Sequence, residues 1–153
     1  MTNNIRPADM NDFEAVRDIT QTTIRAVYPN YYPEGAVEFF SAHHSDEKIR
    51  EDIKKGCVYL LESEGVAAGT VTVAGNGINR LFVLPLYQHK GYGRALMDYA
   101  EQKIASSYDA VVIDASLPAK SIYLKRGYKE IEYNKIKTSN GDYLCYDVMR
   151  LDL

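Results

Sequence analysis

A glycine-rich turn in the middle of the chain has the residue types that bind phosphate. Residues 88–94 read QHKGYGR, and they follow the apolar run LFVL at 81–84 and precede an amphipathic segment. Where such a turn opens a helix, free backbone N–H groups and the positive end of the helix dipole converge on one point. Glycines remove the side chains that would keep an anion away. The segment therefore predicts a phosphate site between a strand and a helix.

Two familiar phosphate sites fit this spacing poorly. A P-loop places Lys and then Ser or Thr after its last glycine, whereas Lys90 precedes Gly91 here and no Ser or Thr follows. A dinucleotide fingerprint, G-x-G-x-x-G, needs a third glycine where Leu96 stands. Asp114 does lie about 20 residues further on, as that fingerprint requires. The P-loop is excluded, and the dinucleotide site stays open as the weaker alternative.

The first third of the chain, which precedes the strands around this turn, is predicted to be mostly helical. A short strand around Ile5 is followed by a helix that Asp9 can cap, with apolar residues at helical spacing. Prolines and tyrosines at 28–33 break this helix, and two further helical segments precede Gly56.

Strands dominate the remainder of the chain. Three β-type runs separated by turn sequences predict an antiparallel meander, at residues 57–61, 66–73 and 78–84. The glycine turn then opens a helix, and the continuous apolar run at 110–113 predicts a strand that is covered on both faces. A helix over about 117–126 and two strands joined at 140–141 complete the order.

Two sequence blocks resemble the GCN5-related N-acetyltransferase (GNAT) family. Residues 83–95, VLPLYQHKGYGRA, are similar to the acetyl-CoA segment of the family, Val-x-Pro followed by Gln/Arg-x-x-Gly-x-Gly/Ala. Residues 116–128, SLPAKSIYLKRGY, are similar to its Asn-x-x-Ala-x-x-Leu-Tyr-x-x-x-Gly-Phe block and lie at the corresponding distance. The predicted order of elements matches the family fold over essentially the whole chain.

The resemblance implies an α/β fold with a mixed sheet of about seven strands and helices on both faces. The second to fourth strands would be antiparallel, the fourth and fifth parallel and splayed, and the last two a C-terminal hairpin. One N-acetyltransferase domain would span residues 1–153, with a homodimer as a plausible assembly.

The resemblance also implies the reaction. An acetyl group would pass from acetyl-CoA, the co-substrate, to a primary amine of a small molecule or amino acid by direct attack on the thioester, without a metal. A protein or peptide N-acetyltransferase and a non-catalytic acyl-CoA-binding module stay open as alternatives.

The resemblance implies that acetyl-CoA binds to the two matching blocks and to the strand before them. The strand backbone would pair with the pantetheine arm, and amides of the turn would hold the pyrophosphate, with nearby positive charge from lysine and arginine. Serine stands where the family often has asparagine. The expected cofactor-binding residues are Leu81, Phe82, Val83, Gln88, His89, Lys90, Gly91, Tyr92, Gly93, Arg94 and Ser116.

Tyr123 is the candidate catalytic residue, because it occupies the tyrosine position of the second block. There it would give a proton to the departing thiolate. A phenol has a pKa of about 10, and the conjugate acid of the thiolate resembles a cysteine thiol with a pKa of about 8.5.

The sequence does not identify a general base. Many family members carry a carboxylate on the fourth strand, whereas residues 77–81 read GINRL. The conceivable substitutes are a water chain or one of Glu38, His43, His44, Glu62 and Asp114. Adjacent helical residues point about 100° apart, so at most one of the two histidines would face the cleft.

We expect residues around the cleft to select the acceptor amine. Arg80 could receive a substrate carboxylate through a bidentate pair, or it could pair with a neighbouring acid of the protein. Phe39 and Phe40 are expected in the core. Aromatic residues that could wall a pocket for an apolar or cationic amine are Tyr28, Tyr31 and Tyr32.

Composition narrows the classes of partner. The 153 residues carry a formal net charge of −3 and no basic stripe, which disfavours nucleic acid. No apolar run approaches the roughly 18 residues of a membrane span, and a cytoplasmic protein is expected. Cys57 and Cys145 lie far apart and show neither metal-ligand nor disulfide spacing.

Overall fold

Seven strands form one mixed sheet in the computed structural model, which describes residues 3–153. The sheet order is β1-β2-β3-β4-β5-β7-β6, with β4 and β5 parallel and the remaining neighbours antiparallel. This arrangement confirms the predicted mixed sheet. The strands are β1 Asn3–Pro7, β2 Val58–Ser63, β3 Val66–Ala74, β4 Gly77–Val83, β5 Ala110–Ala115, β6 Lys129–Lys137 and β7 Tyr143–Asp152.

Helices cover both faces of this sheet. Asp9 caps a 3₁₀ turn that leads into the first helix, and Ser45 caps the third by accepting a hydrogen bond from the amide of Lys48 at 3.3 Å. None of the helices in the described part of the chain is long and apolar enough to cross a membrane. The helices are α1 Phe13–Val27, α2 Glu34–His43, α3 Asp46–Lys54, α4 Tyr92–Ala105 and α5 Leu117–Lys125.

The core consists of two layers, one on each side of the sheet. Apolar residues of α4 and α5 pack on one face, and those of α1, α2 and α3 pack on the other. Leu60 and Leu61 are neighbours on β2 and belong to different layers, because successive side chains of a strand point to opposite faces. Both sheet faces are therefore buried, which explains the continuous apolar runs of the central strands.

Strands β4 and β5 pair at one end and then diverge. Their register contains the single pair Gly77–Val112, and the amide of Val112 donates to the carbonyl oxygen of Asn76 at 3.1 Å. Beyond this pair the two strands share no further register, so a gap opens between their carboxyl ends. This gap confirms the predicted splay.

A β-bulge on β4 lies beside the gap. Thr70 and Thr72 of β3 pair with Phe82 and Asn79, so the β4 side has one residue more than the β3 side between these pairs. Arg80 lies in this interval with φ of +50°, in the left-handed region that non-glycine residues rarely occupy.

The bulge reverses the faces of the second half of β4. Ile78 packs in the layer formed with α4, whereas Phe82, four residues later, packs in the layer formed with α1, α2 and α3. In a regular strand both side chains would lie on the same face. The side chain of Arg80 consequently points to the α3 side, where it reaches Asp52.

Candidate active site

A cavity of about 650 Å³ lies where β4 and β5 separate. Residues from α1, α2, β4, the glycine-rich turn, β5, α5 and the β6–β7 hairpin contribute to its wall. The structure brings to this wall all of the expected cofactor-binding residues except Lys90 and Arg94. Other predicted site residues in the wall are Tyr28, Tyr31, Arg80 and Tyr123.

Free amide groups cluster at the first turn of α4. Gly91 precedes the helix with φ of +84°, and His89 also has a positive φ of 64°. Within residues 3–153, none of the amides from 89 to 94 donates a hydrogen bond, whereas the amide of Ala95 donates to the carbonyl of Gly91 at 3.0 Å. Six successive N–H groups at a helix start form a site for an anion with several oxygens.

Gln88 differs from the other residues of the turn. Its amide donates to the carbonyl of Pro85 at 3.3 Å, so this N–H is not among the free ones. Its side-chain Nε2 donates to the carbonyl of Val83 at 3.0 Å. Gln88 therefore fastens the turn to the end of β4, a role that spacing alone did not indicate.

Two basic side chains belong to the segment that carries the free amides. Lys90 and Arg94 are exposed and form no ion pair within the described chain, and the Lys90 Nζ lies 5.6 Å from the centre of the Tyr87 ring. Both charges remain available to an anion at the start of α4.

Tyr123 is buried, with 5% of its surface exposed, and its ring forms part of the cavity wall. The ring packs against Tyr128 at 5.6 Å between centres, and the Tyr128 hydroxyl donates to Glu101 at 2.8 Å. Burial, with a smaller contribution from Tyr28, raises the pKa of the Tyr123 hydroxyl above its ordinary value. The hydroxyl therefore stays protonated at neutral pH, so it can donate a proton or a hydrogen bond but cannot act as a general base.

Ser116 and Tyr28 meet across the cavity. The Tyr28 hydroxyl donates to Ser116 Oγ at 3.3 Å, and the Tyr28 ring packs edge-on against Phe40 at 4.7 Å. Ser116 precedes α5, but its side chain makes no capping hydrogen bond. Its hydroxyl group therefore remains directed to the cavity side.

Tyr31 and Tyr32, the other tyrosines predicted to contact the substrate, lie in different environments. Tyr31 is exposed at the cavity wall, whereas Tyr32 is buried and does not belong to the wall. The Tyr32 hydroxyl accepts a hydrogen bond from the amide of Leu117 at 2.7 Å and donates to the carbonyl of Cys145 at 3.2 Å. Tyr32 thus joins the start of α5 to β7. Phe39 and Phe40, expected in the core, are partly buried and also line the cavity.

Arg80 reaches the wall, but protein groups accept hydrogen bonds from both terminal nitrogens of its guanidinium, while its buried Nε has no partner among the described residues. Its NH2 nitrogen donates to Asp52 Oδ2 at 2.9 Å, and its NH1 nitrogen donates to Thr72 Oγ1 at 2.9 Å. The side chain is 2% exposed. Of the two possibilities that the sequence left open, the structure shows the pair with a neighbouring acid.

The five candidate bases occupy different environments. Glu62 pairs with Arg6 at 2.6 Å, and Glu38 lies outside the cavity wall. Both histidines line the cavity; burial, Arg80 and His43 together lower the pKa of His44 to about 3. His44 is a neutral and weakly basic imidazole, and His43 is exposed with its ring stacked on Phe39 at 6.1 Å. Asp114 lines the cavity on β5.

A parallel pair of strands that diverges beside a helix start with free amides provides a cleft that suits a phosphate-bearing molecule. A family model described as an acetyltransferase (GNAT) domain matches residues 27–142. The chain therefore belongs to the GNAT acetyltransferase family, and it is an N-acetyltransferase.

Solved structures share the fold over the full chain. A GCN5-related N-acetyltransferase from Rhodopseudomonas palustris is 25% identical with a TM-score of 0.90, covering 100% of this chain and 97% of its own. PaiA N-acetyltransferase from Thermoplasma acidophilum, solved with coenzyme A, is 20% identical with a TM-score of 0.77 and 100% coverage of both chains. YncA from Salmonella typhimurium, a putative acetyltransferase solved with acetyl-CoA, is 17% identical with a TM-score of 0.75, covering 100% and 95%. No curated protein matches the chain significantly.

Proposed function

We propose that the chain transfers the acetyl group of acetyl-CoA to a primary amine of a small molecule. The single observation that carries this proposal is the cavity, in which the free amides of the glycine-rich turn and the buried Tyr123 line one continuous wall. The coenzyme A and acetyl-CoA complexes of structures with the same fold support the choice of donor.

Donor binding uses the glycine-rich turn and the carboxyl half of β4. The amides from 89 to 94, with Lys90 and Arg94 beside them, bind the pyrophosphate. The pantetheine arm lies along the carboxyl half of β4, where the gap to β5 leaves one edge of the strand without a partner strand. Leu81, Phe82 and Val83 line the cavity there, and they bring the thioester toward Tyr123.

The transfer proceeds by attack of the neutral amine nitrogen on the thioester carbonyl carbon. The C–N bond forms, the C–S bond breaks, and the amine proton leaves to solvent. Tyr123 gives its proton to the sulfur as negative charge develops there, coenzyme A leaves as the thiol, and the Tyr123 phenolate takes a proton back from solvent. Because the buried phenol keeps its own proton, it is in the correct state for this donation.

The raised pKa of Tyr123 gives an expected pH profile. A group with a raised pKa stays protonated below that pKa, so Tyr123 remains a donor throughout the range in which the acceptor amine loses its proton. We expect kcat/KM to rise with pH and to show no fall from Tyr123 ionisation below about pH 10. Initial rates from pH 6 to 10 check this. A descending limb near pH 8 that is absent from Tyr123→Phe would contradict it.

Substitution at Gly91 tests the anion site. Because Gly91 has φ of +84°, alanine there strains the turn that presents the free amides, at about 1–2 kcal/mol. We expect Gly91→Ala to raise the Kd for coenzyme A about tenfold, which is about 1.4 kcal/mol. Isothermal titration calorimetry measures this change.

Gly65→Ala is the matched control for Gly91→Ala. Gly65 has φ of +81° in the turn between β2 and β3, and like Gly91 it has no atom within 4 Å of an added Cβ. Both variants should lose similar free energy of unfolding, and Gly65→Ala should bind coenzyme A normally. Equal Kd values for the two variants would refute the assignment of the turn.

The reaction itself is tested by thiol release from acetyl-CoA with a panel of amines, amino acids and peptides. Mass spectrometry of the product separates amide formation from thioester hydrolysis. An N-acetylated small amine formed faster than any N-acetylated peptide is the expected result. Tight coenzyme A binding without an acetylated product from any member of the panel would contradict it.

A further inference from the structure

The carboxylate of Asp114 is unusual among the groups of the cavity wall. Among residues 3–153 it is the one carboxylate in that wall. The other acids that the sequence suggested are either paired, as Glu62 is with Arg6, or outside the wall, as Glu38 is. Asp114 is exposed and forms neither an ion pair nor a side-chain hydrogen bond within the described chain. Its charge is therefore free to interact with a molecule in the cavity.

The strand β5 places Asp114 inside the gap. Val112, Asp114 and Ser116 alternate with core residues and share one face of the extended backbone. Val112 marks the closed end of the gap, where it pairs with Gly77, and Ser116 marks the open end, where it accepts from Tyr28. Asp114 lies midway between these two points.

Aromatic and aliphatic side chains line the same cavity as this carboxylate. Tyr28 and Phe40 pack edge-on at 4.7 Å, and Tyr146 lies near Asp114, whose charge contributes with burial to raising the pKa of the Tyr146 hydroxyl. The apolar and aromatic residues of this part of the wall are Tyr28, Tyr31, Phe39, Phe40, Ile136, Leu144 and Tyr146. These residues favour an apolar or aromatic body on the acceptor.

Apart from histidines, the cavity wall within residues 3–153 offers a substrate carboxylate no cation that lacks a protein counter-charge. The guanidinium of Arg80 is buried and paired with Asp52 and Thr72. The imidazole of His44 is neutral because burial and Arg80 lower its pKa to about 3, and His43 is exposed with its ring stacked on Phe39. A carboxylate next to the reacting amine would meet the negative charge of Asp114 without compensation.

We infer that the acceptor is a primary amine with an aromatic or apolar body and no carboxylate, and that Asp114 binds its ammonium group before the proton is lost. This inference rests on the proposed function and narrows its acceptor. An ammonium held by an otherwise unpaired carboxylate forms a charge-assisted hydrogen bond, and aromatic rings of the same cavity favour a cation by cation–π attraction.

Two pairs of amines that differ only in a carboxylate test the inference. Tyramine is compared with tyrosine, and phenethylamine with phenylalanine. We expect kcat/KM for each plain amine to exceed that of its amino acid at least about 100-fold, a difference of about 2.7 kcal/mol. Faster acetylation of either amino acid would overturn the inference and leave the proposed transfer to a small amine intact.

Substitution of Asp114 tests whether this carboxylate binds the ammonium group. We expect Asp114→Asn to raise the KM for tyramine about tenfold and Asp114→Lys to abolish the preference for the plain amine, with the Kd for coenzyme A unchanged in both. The control is Asp109→Asn, which changes an exposed aspartate just before β5. This variant should keep the tyramine KM and the amine preference of the unsubstituted protein. An unchanged tyramine KM in Asp114→Asn would overturn the assignment.

A binding measurement separates this inference from the proposed function. Calorimetric titration of tyramine into the protein saturated with coenzyme A requires no turnover. Binding that Asp114→Asn weakens supports the ammonium site even if no amine is acetylated, an outcome that would remove only the proposed reaction. Equal binding by Asp114→Asn and Asp109→Asn would remove the ammonium site.

Discussion

Tyr123→Phe is expected to lower kcat for acetyl transfer at least about 100-fold, because it removes the hydroxyl proposed to donate to the departing sulfur. The ring of Tyr123 is buried and packs on Tyr128, and phenylalanine keeps that packing. No hydrogen bond from the Tyr123 hydroxyl to another described residue is lost. Stability and the Kd for acetyl-CoA should therefore change little, and steady-state kinetics with calorimetry check both.

A matched tyrosine separates the loss of this hydroxyl from any general effect of the substitution. Tyr99 on α4 packs against Tyr59 at 5.0 Å and does not line the cavity. Tyr99→Phe should keep the original kcat. If Tyr123→Phe also keeps it, Tyr123 takes no part in the reaction, and departure of the thiolate needs no protein donor.

Asp52→Ala is expected to lower the free energy of unfolding by about 3–5 kcal/mol, because it leaves the buried guanidinium of Arg80 without its counter-charge. The Arg80 side chain is 2% exposed, so water cannot replace the carboxylate without a rearrangement of the bulge. Urea unfolding followed by circular dichroism measures the loss. A change below about 1 kcal/mol would show that the pair contributes as little as a surface pair.

Lys48 provides the control for the Asp52 substitution. Its Nζ lies 3.7 Å from Asp52 Oδ1, but its side chain is 47% exposed. An exposed pair of this kind contributes at most about 1 kcal/mol. Lys48→Ala should therefore leave stability nearly unchanged, and the contrast with Asp52→Ala isolates the buried partner, Arg80.

The Arg80–Asp52 pair also connects stability with the cavity. Arg80 lies at the bulge that reverses the faces of β4, and Phe82, two residues later, forms part of the cavity wall. Loss of the pair should disturb this part of β4 more than the start of α4. Because the proposed path of the pantetheine arm follows the same half of β4, we expect Asp52→Ala to raise both the KM for the acceptor and the Kd for coenzyme A.

The elements and the donor site follow from local features of the sequence. The glycine-rich turn, the cap at Ser45 and the turn at 140–141 depend on residues within a few positions of one another, and the structure has each where the pattern predicts it. The proposed anion site is equally local, because six consecutive free amides make it up. Such features need only the correct residue types at the correct spacing.

The acceptor side depends on contacts between distant parts of the chain. Arg80 meets Asp52 from 28 positions away, and Tyr32 meets the carbonyl of Cys145 from 113 positions away. A regular period-two strand gives no indication of the bulge that turns Arg80 toward α3. The sequence could therefore leave Arg80 open between a substrate carboxylate and a protein acid, and only tertiary packing decided for the acid.

The sequence alone predicted the order of elements, the family and the place of the proposed acetyl-CoA site, because local hydrogen bonds, helix starts and glycine conformations encode them. The tertiary structure decided which charges remain free in the cavity. Asp114 keeps its charge unpaired and Arg80 does not, because pairing depends on which strands and helices meet in space and on how deeply each group is buried.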